Sequence, residues 1–236
     1  MSLRSALERP DSKALYVRRL FATIADRYDL ITVLLSYGQD MRWKRRLVAR
    51  AGSLQGRRVL DLACGTGDLA FLAAAGGATV TALDLTPRMI ELARRKGAGQ
   101  GTVRFLLGDM TAVPLADASV DLVTTGYGLR NVPDLDRALA EIQRVLAPGG
   151  RFLSLEFNRP SSALLQAAYH TYLTVVGSGL GWLLHRDPDT YRYIPESLRP
   201  YPSADAVSAR LLDAGFVKAR WHRVLGGLLA IHEADR

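Results

Sequence analysis

From Val59 onward the apolar residues fall into short runs separated by amphipathic stretches. Val59–Leu62, Thr79–Leu83, Val103–Leu107, Val120–Thr125 and Phe152–Phe157 are β-branched or leucine-rich and too short for helices. Between them, residues 68–75, 87–96 and 134–146 have helical spacing, the last with Leu135, Leu139, Ile142 and Leu146 in register. This alternation predicts βαβ units and a mostly parallel sheet covered by helices on both faces. Pro148-Gly149-Gly150 breaks the third helix ahead of its strand. A helix over 204–214 carries Val207, Leu211 and Ala214 on one face and stops at Gly215. Val217–Val224 and Leu228–His232 flank Gly226-Gly227, a hairpin signal that predicts an antiparallel end to the sheet.

Two stretches stand outside this rhythm. At the N-terminus, Val17, Phe21, Ile24 and Tyr28 fall at helical spacing, and a basic amphipathic stretch over 41–51 ends at Gly52. They predict a helical cap over residues 1–52 on a main domain over 53–236. Residues 160–200, rich in Tyr, Gly and Pro, read as helix plus loop and sit where a lid is inserted. The apolar window Tyr172–Leu184 is interrupted by Gly177, Ser178, Gly179 and Gly181 and falls short of the ~20 residues of a membrane span. The start, MSLRSALERPDSK, lacks an apolar h-region, so a cytoplasmic protein is expected.

Composition narrows the classes. With 236 residues, 48% apolar and 23% charged, the chain fits one globular domain or a core with a small cap. Cys64 is the single cysteine, which excludes an intrachain disulfide and a multi-cysteine metal site. His170, His185, His222 and His232 show no metal-ligand spacing, so no metal is expected. The net charge of +8 lies entirely in residues 1–60, which hold 13 Lys and Arg against 5 Asp and Glu. A basic segment on a neutral body suits a nucleic acid, an anionic lipid surface or an acidic ligand, or is a solvated helix face.

The stretch Val59-Leu60-Asp61-Leu62-Ala63-Cys64-Gly65-Thr66-Gly67-Asp68 carries the most chemistry. A strand ends in Asp61, and glycines then let the backbone turn tightly against a ligand before a helix starts. Gly65-x-Gly67-x-x-Ala70 also fits a dinucleotide fingerprint. Charge separates the readings, because Asp61 and Asp68 repel a pyrophosphate but favour the cationic sulfonium and amino group of S-adenosylmethionine. One such charge at ~4 Å is worth about 4 kcal/mol at an effective dielectric of ~20, before desolvation. Asp84 ends the second strand, where a carboxylate can accept both ribose hydroxyls, and Asp109 follows the third, placed for an adenine amino group. A helix cap at Asp84 and a turn role at Asp109 are the structural alternatives. Cys64 has no neighbouring His and reads as a small turn residue.

With these motifs in hand, the chain resembles class I S-adenosylmethionine-dependent methyltransferases. Within them it is similar to the ubiquinone/menaquinone biosynthesis C-methyltransferase family, from about Phe21 to His232. Besides the loop above, the likeness rests on Tyr28-Asp29, Leu35-Ser36-Tyr37-Gly38, Trp43-Lys44-Arg45, Gly128-Leu129-Arg130-Asn131-Val132, Arg144 to Gly150, Leu155-Glu156-Phe157 and Asp189 to Ser197. The resemblance implies a Rossmann-like seven-stranded sheet with an antiparallel last strand. It places S-adenosylmethionine on Thr66, Asp84, Asp109, Met110 through its N–H, and Gly126, alongside the loop residues Asp61, Gly65 and Gly67. Departures occur at Ile31-Thr32, where Met-Asn is usual, at Asp40 in place of His, and at Asn158 in place of Ser.

The implied reaction is methylation of a ring carbon in a polyprenylated hydroquinone, demethylmenaquinol or a benzoquinol. A carbon nucleophile gains electron density when the adjacent hydroxyl loses its proton, so a proton acceptor or phenolate stabiliser is required. Arg130 and Asn131, beside the crevice, are the first candidates. The Arg130 guanidinium stays protonated and cannot accept a proton, so it is assigned to the developing phenolate. An Asn131 helix cap with a solvated Arg130 is the alternative. Tyr28, Tyr191 and Tyr193 are expected to line or close the ring pocket, with Tyr193 grouped with the catalytic candidates and His185 a reserve base. Residues 150–236 show no RNA-binding module, so no nucleic-acid partner is expected. A dehydrogenase, a non-catalytic binding protein and a homo-oligomer remain open at this stage. Arg42, Lys44, Arg45, Arg46 and Arg50 alternate with Met41, Trp43, Leu47 and Val48, which suits either an interfacial helix on an anionic membrane or a helix packed on the core.

Overall fold

The computed structural model describes residues 7, 9–98, 103–160 and 162–236, without the side chains of residues 10 and 11. The start of the predicted cap therefore lies outside the described residues. Strands β1 (Arg58–Leu62), β2 (Thr79–Asp84), β3 (Val103–Leu107), β4 (Val120–Gly126) and β5 (Leu146–Phe157) run parallel. The chain closes with β6 (Lys218–Val224) and β7 (Leu229–Asp235), β7 lying antiparallel to both β5 and β6. The order is β3-β2-β1-β4-β5-β7-β6. Expectation and structure agree on the sheet because strands buried on both faces must be almost wholly apolar.

Side chains alternate across the sheet. Leu60, Leu62 and Phe152 join a core with α6 (Leu135–Val145) and α9 (Ala204–Asp213) on one face. Val59, Leu153 and Leu155 join a second core with α3 (Asp40–Ala49) and α4 (Asp68–Ala75) on the other. α5 (Pro87–Lys96) follows β2. The chain winds outward from β1 through β2 and β3 and then returns to β4. The carboxyl ends of β1 and β4 consequently flank the topological switch point, where open α/β sheets bind ligands.

Over that edge lie α1 (Pro10–Ile24), α2 (Tyr28–Leu35), α7 (Ala163–His185) and α8 (Asp189–Leu198). Val17, Leu20 and Ile24 of α1, Ile31 of α2, and Tyr191 and Tyr193 of α8 form a third apolar cluster. The helix α3 does not belong to this roof. Its Leu47 is fully buried in the sheet core and Trp43 is partly buried against it. Lys44 is buried between Asp40 and Asp68, and Arg50 pairs with Glu233 at 3.2 Å. An interfacial helix that presents Trp43 and Leu47 to lipid is therefore ruled out, and Arg42, Arg45 and Arg46 remain as its exposed cations.

The lid also differs from expectation. Residues 160–200 hold two helices rather than helix plus loop, and α7 runs unbroken through the glycines. Gly177 and Gly181, one turn apart, let α7 approach the backbone of α8 and of the turn before it. A Cβ at Gly177 would lie 3.2 Å from the Tyr191 carbonyl oxygen, and one at Gly181 would lie 2.5 Å from that of Asp187. Gly179, on another face, has nothing within 4 Å. Close packing, not helix breaking, is what these glycines do. Gly181→Ala should thus destabilise the fold by about 1–3 kcal/mol through overpacking, whereas Gly179→Ala should be neutral or gain about 0.5–1 kcal/mol of helix propensity. Chemical denaturation of both variants checks this, and equal tolerance would contradict the close-packed lid.

Candidate active site

Two cavities share walls at the switch point. One, of about 420 Å³, is apolar and aromatic, with Ile31 and Leu35 of α2, Tyr169 and Leu173 of α7, and Tyr191 and Tyr193 of α8 in its lining. The other, of about 100 Å³, runs along the strand ends and is roofed by Ala14, Val17, Arg18 and Phe21 of α1. Phe21, Tyr28 and Tyr127 line both. A polar niche of about 20 Å³ adjoins, lined in part by Tyr28, Lys44, Asp61, Thr66, Asp68 and Gly126.

Most of the residues expected at the donor meet here. Gly65, Asp84, Asp109, Met110 and Gly126 line the strand-end cavity, as does Asn131. Asp61 and Thr66 line the niche. Gly67 lines none of the three cavities. Its φ of +90° starts α4, and a Cβ there would stand 2.9 Å from the Phe71 ring, so it serves the turn.

The carboxylates differ in their commitments. Asp84 accepts from the Gly65 and Thr86 backbone N–H groups, each at 2.8 Å, so it shapes the loop while its edge faces the cavity. Burial raises its pKa and those hydrogen bonds oppose the shift. Asp109 takes both the N–H and the hydroxyl of Thr111 on Oδ1, the turn role named above. Asp61 is different. Its Oδ1 accepts from the Thr124 hydroxyl at 2.7 Å, while Oδ2 is buried without a hydrogen-bond partner among the described residues. Burial pushes Asp61 up to about 7, against the downward pull of Thr124, Lys44 and the Ala70 backbone N–H.

Asp68 does not supply the free negative charge read from the sequence. It pairs with Lys44 at 2.8 Å and Lys96 at 2.6 Å, and these cations outweigh burial and hold it below its usual range. The electrostatic case for a cationic ligand therefore rests on Asp61. Thr66 donates to Asp29 at 2.6 Å, and Asp29 also pairs with Lys96, which ties α2 to the loop after β1. Burial pushes the Cys64 thiol well up, consistent with a turn residue rather than a nucleophile.

The catalytic candidates are held in one network. Arg130 is buried, donates to Glu156 at 2.6 Å and to the Tyr127 carbonyl at 3.0 Å, and lies 4.6 Å above the Phe157 ring. Its Nε is buried without a partner among the described residues, and its side chain lines the apolar cavity. A solvated Arg130 is excluded. Asn131 donates to the same Tyr127 carbonyl at 2.9 Å and accepts from the Tyr193 hydroxyl at 2.8 Å, joining α8 to the turn after β4. Burial raises Tyr28, Tyr127 and Tyr193, so their phenols stay protonated at neutral pH. His185 bonds the Tyr191 hydroxyl and is absent from the cavity lining, which removes it as a reserve base.

Sequence reading missed Glu156 and Tyr127. Glu156 stands in the Leu155-Glu156-Phe157 motif, and a lone carboxylate in an apolar strand run signals a buried partner. Tyr127 stands between two glycines at the end of β4, which signals a backbone under constraint.

Comparison with known proteins identifies the family. The sequence pattern of the ubiE/COQ5 methyltransferase family matches residues 9–236. The chain is 44% identical over 220 residues to a demethylmenaquinone methyltransferase of Thermus thermophilus, covering 92% of this chain and 100% of that protein. It is 40% identical over 220 residues to a ubiquinone/menaquinone biosynthesis C-methyltransferase of Rubrivivax gelatinosus, covering 93% of this chain and 86% of that one. A SAM-dependent methyltransferase of Thermotoga maritima has the same fold, with a TM-score of 0.68 at 18% identity over 92% of this chain and 98% of that structure. The family pattern and both relatives span nearly the whole chain, and the chain belongs to the ubiE/COQ5 methyltransferase family.

Proposed function

We propose that the protein transfers the methyl group of S-adenosylmethionine to a ring carbon of a polyprenylated hydroquinone, with demethylmenaquinol as the acceptor. The observation that carries this reading is the junction of an aromatic, apolar cavity with an acid- and glycine-edged crevice at Gly126–Tyr127. The apolar cavity falls within the ~300–1,000 Å³ typical of small-molecule sites. The naphthoquinol preference follows the name of the Thermus relative; the Rubrivivax relative's name keeps a benzoquinol as the alternative.

The residues present fit the donor. The unpartnered Asp61 Oδ2 suits a cationic group, the Asp84 edge suits a ribose diol, and Asp109 and the Met110 N–H suit an adenine. When bound, the donor supplies an electrophilic methyl group on a positive sulfur. Glu156 neutralises Arg130, so the apolar cavity carries little net charge from this pair, as a neutral hydroquinone requires. The remaining donors of Arg130, Nε among them, are left to hold the oxygen on which negative charge develops. Asn131 and Tyr193 fix the lid against the crevice, and burial of the junction excludes water.

The structure also supports a route to a bilayer-resident acceptor. Leu30, Val33, Leu34 and Tyr37 follow one another at helical spacing and are 52%, 52%, 44% and 74% exposed. They form an outward stripe on and just after α2, whose other face lines the apolar cavity. Tyr37 and the half-exposed Leu225 are also in the cavity lining, so the stripe borders its mouth. We place the membrane contact on this stripe, with Arg42, Arg45 and Arg46 beside it in sequence to meet anionic headgroups. No helix among the described residues is long and apolar enough to cross a membrane.

Three experiments test these statements. With labelled donor, reduced naphthoquinol should be methylated faster than reduced benzoquinol, and transfer to neither would overturn the reading. Arg130→Lys keeps a charge against Glu156, yet should lower kcat and kcat/KM by similar factors, about 10²-fold, with donor affinity unchanged in calorimetry. In vesicle sedimentation, the parent should bind anionic vesicles at low salt, each exposed Arg contributing about 1 kcal/mol. Replacing Leu30, Val33 and Leu34 with Ser should abolish that binding. Equal sedimentation of parent and variant would contradict the stripe.

A further inference from the structure

Among the described side chains lining the apolar cavity, Asp40 carries the one carboxylate. The Tyr127 hydroxyl donates to Asp40 Oδ1 at 2.9 Å, and Tyr127 lines both the apolar cavity and the strand-end crevice. Its backbone has φ of +60°, a left-handed conformation that costs a non-glycine residue of order 1–3 kcal/mol and persists only where surroundings enforce it. The enforcing contacts are the two hydrogen bonds that Arg130 and Asn131 make to its carbonyl. A tyrosine is thus held under strain where the cavities meet, with its phenol aimed at a buried carboxylate.

We propose that Tyr127 and Asp40 form the proton-accepting relay of the reaction. The inference rests on the hydroquinone reading above. The ring hydroxyl of the acceptor gives its proton to Tyr127 Oη as Tyr127 passes its own proton to Asp40 Oδ1. The ring carbon supplies the electron pair for the new carbon–carbon bond, and the pair of the broken carbon–sulfur bond stays on sulfur, which becomes neutral. The methylated carbon then loses its hydrogen as a proton to solvent. The ring oxygen recovers a proton from Asp40 through Tyr127, so the net change is methyl transfer and release of one proton.

The surroundings of Asp40 suit this work. Lys44 on its own helix pairs with Oδ2 at 2.5 Å, and the Ser36 hydroxyl accepts from the Asp40 N–H at 3.2 Å. Tyr28 from α2 and Tyr127 from the loop after β4 also feel its charge. Behind Lys44 stands Asp68, so Lys44 keeps an anionic partner when Asp40 takes a proton. Glu156, which interacts with Tyr127 from β5, is occupied by Arg130.

The test uses the full chain with labelled donor and reduced naphthoquinol, comparing the parent with Tyr127→Phe and Asp40→Asn. Each variant should lose about 10²–10⁴-fold in kcat, and the double variant should be little worse than either single one. Donor affinity by calorimetry and the unfolding midpoint of Tyr127→Phe should stay near parental values, which a merely structural role for the pair would not allow. A parent that methylates the naphthoquinol while both variants match its rate overturns the relay alone. A parent that methylates no hydroquinone overturns the relay and the reading beneath it.

Discussion

A carboxylate at the end of a buried parallel strand has to find either a proton or a cation. Asp61 is in that position: it is 1% exposed, bonded through one oxygen to Thr124, and denied the nearest lysine, which Asp40 and Asp68 hold. An unpaired buried charge is too costly to persist, so the group is shifted toward its neutral form. A cationic ligand reverses that preference. The glycine loop, the crevice and the helical roof are arranged around a strand end that lacks one positive charge.

The neighbouring cavity solves the opposite problem. It has to admit a neutral, greasy ring and still offer polar groups at one point, and its charged groups are paired. Glu156 neutralises Arg130, Lys44 neutralises Asp40, and the Tyr193 hydroxyl is spent on Asn131. Breaking a buried pair by removing one member is costly, which ties the loop after β4 to β5 and α8 to that loop. The strained Tyr127 backbone is the point where both networks converge.

The fold was largely legible in the sequence and the site only partly. Parallel strands announce themselves because both faces are buried, and Gly226-Gly227 marked the terminal hairpin. Residues 160–200 read as helix plus loop because their Gly and Pro content suggested loop, whereas Gly177 and Gly181 are close contacts with Tyr191 and Asp187 that the sequence alone does not reveal. In α3 the apolar face was visible, but periodicity cannot tell a core from a lipid surface. Asp68 was misread because Lys44 and Lys96, 24 and 28 residues away, reach it only in three dimensions. Asp61, Asp84 and Asp109 could be placed because strand ends can be counted from the pattern, whereas the Tyr127–Asp40 contact joins residues 87 positions apart.

The central claim is that Asp61 awaits a cation, and proton release on donor binding tests it most directly. In the free protein Asp61 sits at about 7, so it is largely protonated at pH 6. A bound cation favours its ionised form, and the complex then holds fewer protons than the separate partners. Binding of S-adenosylmethionine should accordingly strengthen as pH rises from 5.5 to 7. Calorimetry at pH 6 in buffers of different ionisation enthalpy should show release of nearly one proton, and Asp61→Asn should abolish it. Binding by the parent that is independent of pH over this range and releases no proton would contradict the account.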